Sequence, residues 1–442
     1  MLRSVLLQVG SSLKVNRAAD LAVRCNPLIR WRVLDALQQG KALQPGDRAV
    51  LSSELSKRSL RYALRTHYGR GRSENLADWP VLGRDLLRKS PRCFINPLHF
   101  LRVPASTGGT TGVPLKLWRS IECVVAEQTF IDDLLAPYGH SMHGSRVATL
   151  RADTVKCLSD TGPPYGRLTH GGMRLLLSTP HMNARTLGWF CDALHDFAPS
   201  VLWAYPSAAL NLMKLTERTS LPPKLQILLV SSETLSPALH LALERHFSCR
   251  VINYYGQAER VCFAHSVKPT EFYFNPWYGR VELLGTEECE EEPVRRVNVV
   301  ATGYWNAAMP LVRYETGDTL LVPKSYGENE IADVALGRRP FIRLEGRDGE
   351  YLLTRQGLRI IGLNQIPREV PNILQVQLVQ RDFESVVINV VATSAFSSKD
   401  AAQLLDQAKA KIPMSIQLTL NVGDHLVTNA RGKAPFVLRM ID

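Results

Sequence analysis

Long apolar runs are missing from this chain: the longest fall well short of the roughly 18 to 20 residues that a membrane-spanning helix needs, so no transmembrane segment is expected. Paired cysteines are missing too. Cys25, Cys93, Cys123, Cys157, Cys191, Cys249, Cys262 and Cys289 lie scattered, with no CxxC pair. That pattern excludes a disulfide scaffold and suits a reducing, cytoplasmic setting. Low-complexity tracts and internal repeats are absent, which excludes solenoids. Acidic residues are scarce at one end only. Residues 1–102 hold 19 Lys and Arg against 7 Asp and Glu, whereas residues 103–442 hold 34 of each, so the whole net charge of +12 belongs to the first hundred residues. A nucleic-acid wrapper would be basic throughout, so no nucleic-acid partner is expected. The first 20 residues carry no secretory cleavage pattern. Being free of acids until Asp20, they read either as an amphipathic helix or as an organelle transit peptide.

What is present is a soluble-type composition, 45% hydrophobic and 21% charged over 442 residues, enough for two or three domains. Residues 1–102 read as helices, with apolar positions at helical spacing in Leu28 to Leu37 and Leu51 to Leu64. Their basic residues read as solvated faces or as a docking surface for a polyanion. From Val103 the texture changes to short apolar strands, 146–152, 199–205, 225–232 and 249–256, alternating with helices over Ile121 to Leu135, Ala184 to Phe197, Ala208 to Arg218 and Pro237 to Phe247. Such alternation predicts parallel sheets covered by helices. Beyond residue 278 come strand pairs around an acidic turn, Glu287 to Glu292, read as a solvated hairpin loop. Residues 347–442 form a compact strand, strand, helix, strand segment that predicts a small α+β domain. The expected domains are therefore 1–102, 103–346 and 347–442.

Ser106, Thr107, Gly108, Gly109, Thr110, Thr111 and Gly112 form the most informative stretch. Its glycines allow successive N–H groups to converge on an anion and its hydroxyls can donate to phosphate oxygens, with Lys116 following within reach. A flexible Gly/Thr turn without a ligand is the alternative. It is not a Walker A loop, since Val113 and Pro114 stand where Lys and Ser/Thr would follow the last glycine. Cys262 and His265 are the only close Cys/His pair and read as packing residues rather than as a zinc site.

Further motifs follow in order: Val230 to Leu235 (VSSETL), Asn253 to Arg260 (NYYGQAER), Arg313 to Asp318 (RYETGD), Gly346-Arg347 with Glu350, and Gly432-Lys433. Together with the loop they resemble the adenylate-forming (acyl-CoA synthetase) superfamily over nearly the whole chain. Tyr205 to Ala208 (YPSA), residues 255–265 and the stretch WPVLGRDLLRKS (79–90) are similar to the phenylacetate-CoA ligase branch, nearest its capsule-biosynthesis and coenzyme F390 synthetase-like members.

The resemblance implies an α/β fold, with a large N-terminal domain of helix-covered sheets and a small mobile C-terminal α+β domain. It implies an ATP-dependent, AMP-forming ligase that adenylates a small carboxylic acid, an aryl acid favoured, and passes it to a thiol of CoA or of carrier-protein phosphopantetheine. Transfer to an amine or hydroxyl, and a nucleotide-binding relative without turnover, are the alternatives. In that frame Ser106 to Gly112 and Lys116 hold the β- and γ-phosphates. Glu233, Thr234, Tyr255, Gly256 and Gln257 line the nucleotide, Asp318 binds the ribose hydroxyls with Arg347 close by, Glu259 holds Mg²⁺, and Lys433 meets the α-phosphate. Glu350 stands at the hinge where Asp is usual. Trp203, Tyr205 and Phe263, beside expected strand ends, read as acyl-pocket lining or as core. The oligomeric state is not set by the sequence.

Overall fold

A computed structural model describes residues 26–44, 47–106, 115–151, 155–157, 159–217, 223–289, 293–347, 351–355, 359–360, 363, 366–367, 370–429 and 432–441. The chain divides into two compact units, the first drawing on Ser145–Asn253 and Gly346–Asp442, the second on Val9–Gly144 and Tyr254–Glu345.

In the first unit the Val147–Leu150 strand pairs in parallel with Arg174–Leu177 on one side and Val201–Ala204 on the other, and Val201–Ala204 pairs in parallel with Ile227–Ser231. Gly166–Thr169 adds an antiparallel edge. Every residue of Val147–Leu150 and Ile227–Ser231 is buried, which is why these strands read as continuous apolar runs rather than alternating ones. Helices Leu187–Phe197, Pro206–Thr216 and Pro237–Phe247 make the crossovers. Pro237 begins the last of these, capped by the Ser236 hydroxyl, which accepts from Leu239 N.

Residues 373–439 build the smaller α+β domain. Its strands lie in the order Gln417–Val422, Ser385–Ala392, Ile373–Gln380, Val437–Arg439, the central pair antiparallel and both outer pairs parallel. Helix Ser398–Lys411 starts at a capping box of Ser397 and Asp400 and buries Leu404 and Ala408 against this sheet's core. The domain is tied to the crossover helices of the same unit: Ser236 Oγ donates to Leu374 O at 2.6 Å and Lys214 Nζ to Ala392 O at 3.0 Å. The architecture is thus α/β, a large region of sheets and helices followed by a small C-terminal α+β domain.

The second unit opens with helices Pro27–Ala42 and Arg48–Ala63. Several of their cations are paired within this unit. Arg30 pairs with Asp132 at 2.5 Å and Lys41 pairs with Asp133, both acids on helix Ile121–Leu135. Arg58 lies 4.7 Å from the Trp305 ring centroid and donates to Tyr304 O. Part of the N-terminal charge excess therefore answers internal acids and an aromatic face, while Arg61 and Arg65 remain exposed.

Strands Gly279–Glu288, Val294–Gly303 and Tyr314–Pro323 pair antiparallel in this unit's sheet, with Arg343–Arg347 beside Tyr314–Pro323. In the acidic hairpin Glu288 is paired with Lys324 at 2.9 Å, whereas Glu290 to Glu292 lie outside the described residues. Gly279 and Gly303 face each other in register, and both admit the backbone of Arg260 and Val261: a Cβ on Gly279 would lie 1.9 Å from Val261 O, and one on Gly303 2.7 Å from Arg260 O. Backbone cannot yield as a flexible side chain can. Gly279→Ala is expected to destabilise the protein by about 3 kcal/mol or more, read as a fall in denaturation midpoint at unchanged slope; a loss below about 1 kcal/mol would contradict this.

Candidate active site

In the second unit, Tyr254 to Gly256, the last residues of the Arg250–Gly256 strand, lead into a turn that presents Gln257, Glu259 and Arg260. Arg119 anchors this turn, its guanidinium donating twice to Ala258 O at 2.7 and 3.2 Å. Arg260 adopts a left-handed φ of +59° and pairs with Glu127, which also accepts from Tyr278 OH at 2.6 Å. Arg313, at the start of the RYETGD motif, and Ser232, in VSSETL, are likewise left-handed, at +46° and +73°. Such backbone costs of order 1–3 kcal/mol per residue and persists where its surroundings over-determine it.

A relay of hydrogen bonds orients the aromatic of this motif. The Gln257 amide donates to Tyr255 OH and to Cys262 Sγ, and Tyr255 OH donates to Asp318 Oδ2 at 2.6 Å. Thr316 Oγ1 in turn accepts from Asp318 N. The half-buried Tyr255 ring, next to exposed Gly256, is thereby fixed beside the Asp318 carboxylate. Burial pushes the Cys262 thiol up to about 12 against the Gln257 hydrogen bond, and burial holds His265 below its ordinary value. Both behave as packed groups.

Glu259 is 2% exposed. Its Oε1 accepts from Tyr314 OH at 2.9 Å and lies 3.9 Å from the Arg84 guanidinium, while Oε2 is buried with no hydrogen-bond partner among the described residues. An orphaned carboxylate oxygen fits a hard divalent cation. Among the described residues no group of three or more His, Cys, Asp or Glu could hold a metal by itself. A magnesium ion on Glu259 would therefore complete its shell from phosphate oxygens and water.

Ser106 and Lys116 are exposed register partners across the antiparallel pair Arg102–Ser106 and Lys116–Ser120. Thr107, Gly108, Gly109, Thr110, Thr111 and Gly112 lie outside the described residues, as do Glu350 and the side chain of Arg347. Phe263 is fully buried and stacked with Tyr254 and Tyr278, at centroid separations of 5.5 and 5.4 Å.

The first unit holds the remaining candidates. Lys433 follows Gly432, whose φ of +66° makes the tight turn to Asn429: Gly432 N donates to Asn429 O, Lys433 N to Asn429 Oδ1, and Asn429 N to Lys433 O. The segment around this turn is held from two further sides. Buried Gln377 donates to Val427 O at 2.8 Å and to Pro435 O at 3.0 Å and accepts from Val427 N. Glu233 Oε1 accepts from Ala434 N at 2.7 Å and from Ser207 Oγ at 3.0 Å, while its Oε2 accepts from Ser207 N at 2.9 Å. Burial pushes the Glu233 carboxyl above its ordinary range, opposed by these hydrogen bonds and by the Lys433 charge. Glu233 thus ties the lysine loop to the start of helix Pro206–Thr216, and Thr234 beside it is exposed. The Lys433 ammonium lies 5.5 Å from the Tyr205 ring centroid.

Sequence reasoning missed Gln377, Glu127 and Arg84 as positioning groups, and missed Arg151, whose guanidinium covers Trp203 at 4.0 Å and Tyr205 at 5.2 Å. A polar residue inside an apolar strand, as Gln377 is within Ile373–Gln380, was the available signal for the first.

The AMP-binding enzyme family matches residues 106–287 and the CapK C-terminal domain matches residues 352–440. Protein CapK of Staphylococcus aureus is 21% identical over 329 residues, 72% of this chain and 70% of that protein. In fold the chain is similar to 2-hydroxyisobutyryl-CoA ligase in the postadenylation state with 2-HIB-AMP, at TM-score 0.57 and 15% identity over 90% of each chain. The same enzyme with R3-HIB-AMP aligns at TM-score 0.54 and 15% identity, over 90% of this chain and 94% of that one. Among the described residues no helix is long and apolar enough to cross a membrane. By its ordered motifs, its fold and these matches, the chain carries an AMP-binding enzyme domain over residues 106–287 and a CapK C-terminal domain over residues 352–440, and is similar to CapK and to adenylate-forming ligases.

Proposed function

We propose that this protein is an AMP-forming ligase that joins a carboxylic acid to a thiol in the cytoplasm. The acid's carboxylate oxygen attacks the α-phosphorus of ATP and pyrophosphate leaves; the thiol sulfur then attacks the acyl carbon and AMP leaves. The observation that carries this reading is the fixed placement of Lys433, on a Gly432 turn pinned by Asn429, Gln377 and Glu233 at the carboxyl ends of a parallel sheet. A pre-organised cation stabilises charge developing between carboxylate and α-phosphate without reorganisation at the moment of reaction.

The other roles follow the motifs. Ser106 to Gly112 and Lys116 bind the β- and γ-phosphates, the Tyr255 ring stacks on adenine beside Gly256 and Gln257, and Asp318 accepts the ribose hydroxyls with Arg347 nearby. Glu259 holds the magnesium ion, which when bound neutralises phosphate charge and orients the pyrophosphate leaving group. Domains 1–102, 103–346 and 347–442 serve as N-terminal cap, catalytic body and lid, with Glu350 at the hinge between the two half-reactions. An aryl acid is favoured by Trp203 and Tyr205. The acceptor is CoA or the phosphopantetheine of an acyl carrier protein. The CapK-type C-terminal match supports an amine or hydroxyl acceptor as the second reading.

Purified protein with ATP, Mg²⁺ and a panel of acids is expected to release pyrophosphate and AMP in an acid-dependent manner, with thiol consumed only in CoA's or a holo-carrier's presence. AMP release driven by an amine or hydroxyl acceptor and indifferent to thiol would select the second reading. Glu233 acts by positioning, so Glu233→Gln, which cannot accept all three hydrogen bonds, is expected to lower the adenylation kcat by about 10-fold or more with KM for ATP little changed. A rise in ATP KM alone would instead assign Glu233 to the nucleotide.

A further inference from the structure

Between Glu54 and Glu74 the chain holds six cations and no acid, and between Asp85 and Glu122 six more and again no acid. Ring and backbone contacts bring these two segments together within the second unit. The Tyr62 and His99 rings meet edge-on at 5.9 Å, the Tyr68 ring lies 4.5 Å from that of Phe94, and Tyr68 N donates to Cys93 O at 2.9 Å. Arg58, Arg72, Arg88 and Arg119 are taken up by Tyr304 O, the Tyr68 ring, Asp85 and Ala258 O. Lys57, Arg61, Arg65 and Arg102 are exposed and pair with no acid among the described residues; Arg61 and Arg102 donate to the backbone carbonyls of Lys57 and His99. Beside them Leu98, Phe100 and Leu101 stand 59%, 83% and 73% exposed. The turn that carries these three is fixed by fully buried Asn96, which donates to Ala308 O and Ala307 O and accepts from Leu98 N and His99 N. Large apolar side chains held in water inside an acid-free cationic rim have the make-up of an interfacial anchor, whose tips enter the acyl boundary while its cations meet anionic headgroups. A nucleic acid would answer the cations and leave Phe100 and Leu101 in water.

We propose that this face, Leu98 to Leu101 with Lys57, Arg61, Arg65 and Arg102 around it, docks the protein on an anionic lipid bilayer. Leu98, Phe100 and Leu101 insert at the headgroup boundary, and the cations supply an attraction that salt screens. Strand Arg102–Ser106 runs from this face to the first residue of the Ser106 to Gly112 segment, so the docked surface is continuous in sequence with the proposed phosphate loop. The proposal goes beyond the ligase reading and does not depend on it: vesicle binding tests the one and pyrophosphate release the other.

The test is sedimentation of the full-length protein with phosphatidylcholine vesicles that do or do not contain phosphatidylserine, over a range of salt. The wild-type protein is expected to partition onto the phosphatidylserine vesicles at least about 10-fold more strongly than onto phosphatidylcholine alone, with binding falling as salt rises. Phe100→Ser with Leu101→Ser is expected to lower the partition coefficient by about 10-fold or more at every salt concentration. Arg61→Gln, Arg65→Gln and Arg102→Gln together are expected to lower it by about 100-fold at low salt and to flatten its salt dependence. All five side chains are exposed, so an unchanged denaturation midpoint shows that the variants are folded. No binding to either vesicle, or binding untouched by both sets of substitutions, would overturn the proposal. Loss in the arginine variant alone, with the Phe100 and Leu101 variant binding as the wild type does, would make the face a general polyanion surface and overturn it too. A wild-type dimer that Phe100→Ser with Leu101→Ser dissociates, with no vesicle binding, would assign the face to a second copy of this chain instead.

Discussion

Lys433→Ala is expected to lower acid-dependent pyrophosphate release by about 10²- to 10³-fold, the usual cost of removing one pre-organised stabilising group. The Asn429, Gln377 and Glu233 hydrogen bonds that shape the loop run to backbone atoms and to the Ala434 amide, so they survive the truncation. Lys433 itself is half-buried and its charge favours the ionised Glu233 carboxylate, so stability is expected to fall by no more than about 1 kcal/mol. The loss should therefore fall on the chemical step, and substrate binding should change far less. Chemically prepared acyl-adenylate offered with thiol should still be consumed by the variant, because the charge that Lys433 answers develops only in the first half-reaction. Equal loss in both half-reactions would show that the loop, and not the ammonium, had been damaged.

Glu259→Gln is expected to raise the Mg²⁺ concentration for half-maximal adenylation by at least about 10-fold and to lower kcat/KM by about 10²-fold. Oε2 is the buried, unpartnered oxygen, and an amide replaces an anionic ligand there with a neutral one for a cation that binds hard anionic oxygen. Tyr314 OH and Arg84 lose a charged acceptor at Oε1, an effect opposed by relief of the desolvation of a buried carboxylate. The two nearly offset, so thermal stability is expected to change little while the metal requirement moves. An unchanged Mg²⁺ dependence would take the metal away from Glu259.

Where a segment's fate is local, its residues foretold its structure. Helices Ile121–Leu135 and Pro237–Phe247 run between their expected ends, each preceded by a serine whose hydroxyl caps the first turn. The fully buried strands at Val147–Leu150 and Ile227–Ser231 were legible as apolar runs. What escaped was long-range. Glu233 meets Ala434 across 201 positions and Gln377 meets Pro435 across 58, and nothing within either neighbourhood signals the partner. The N-terminal cations looked solvated because the acids and rings that answer them, Asp132, Asp133 and Trp305, lie about a hundred residues or more away. The stacking of Phe263 was hidden for the same reason: its ring partners Tyr254 and Tyr278 lie 9 and 15 positions away on a different strand and in a turn. Nothing in the sequence signalled that Arg151 lies over Trp203 and Tyr205, which reach it through neighbouring strands.

The central claim is that ATP is cleaved between its α- and β-phosphates by a carboxylate, and acid-dependent exchange of labelled pyrophosphate into ATP, run without any thiol, amine or hydroxyl acceptor, tests it most directly. The account predicts exchange that requires both acid and Mg²⁺ and vanishes in Lys433→Ala. Absence of exchange with every acid, or acid-dependent release of ADP in its place, would contradict it.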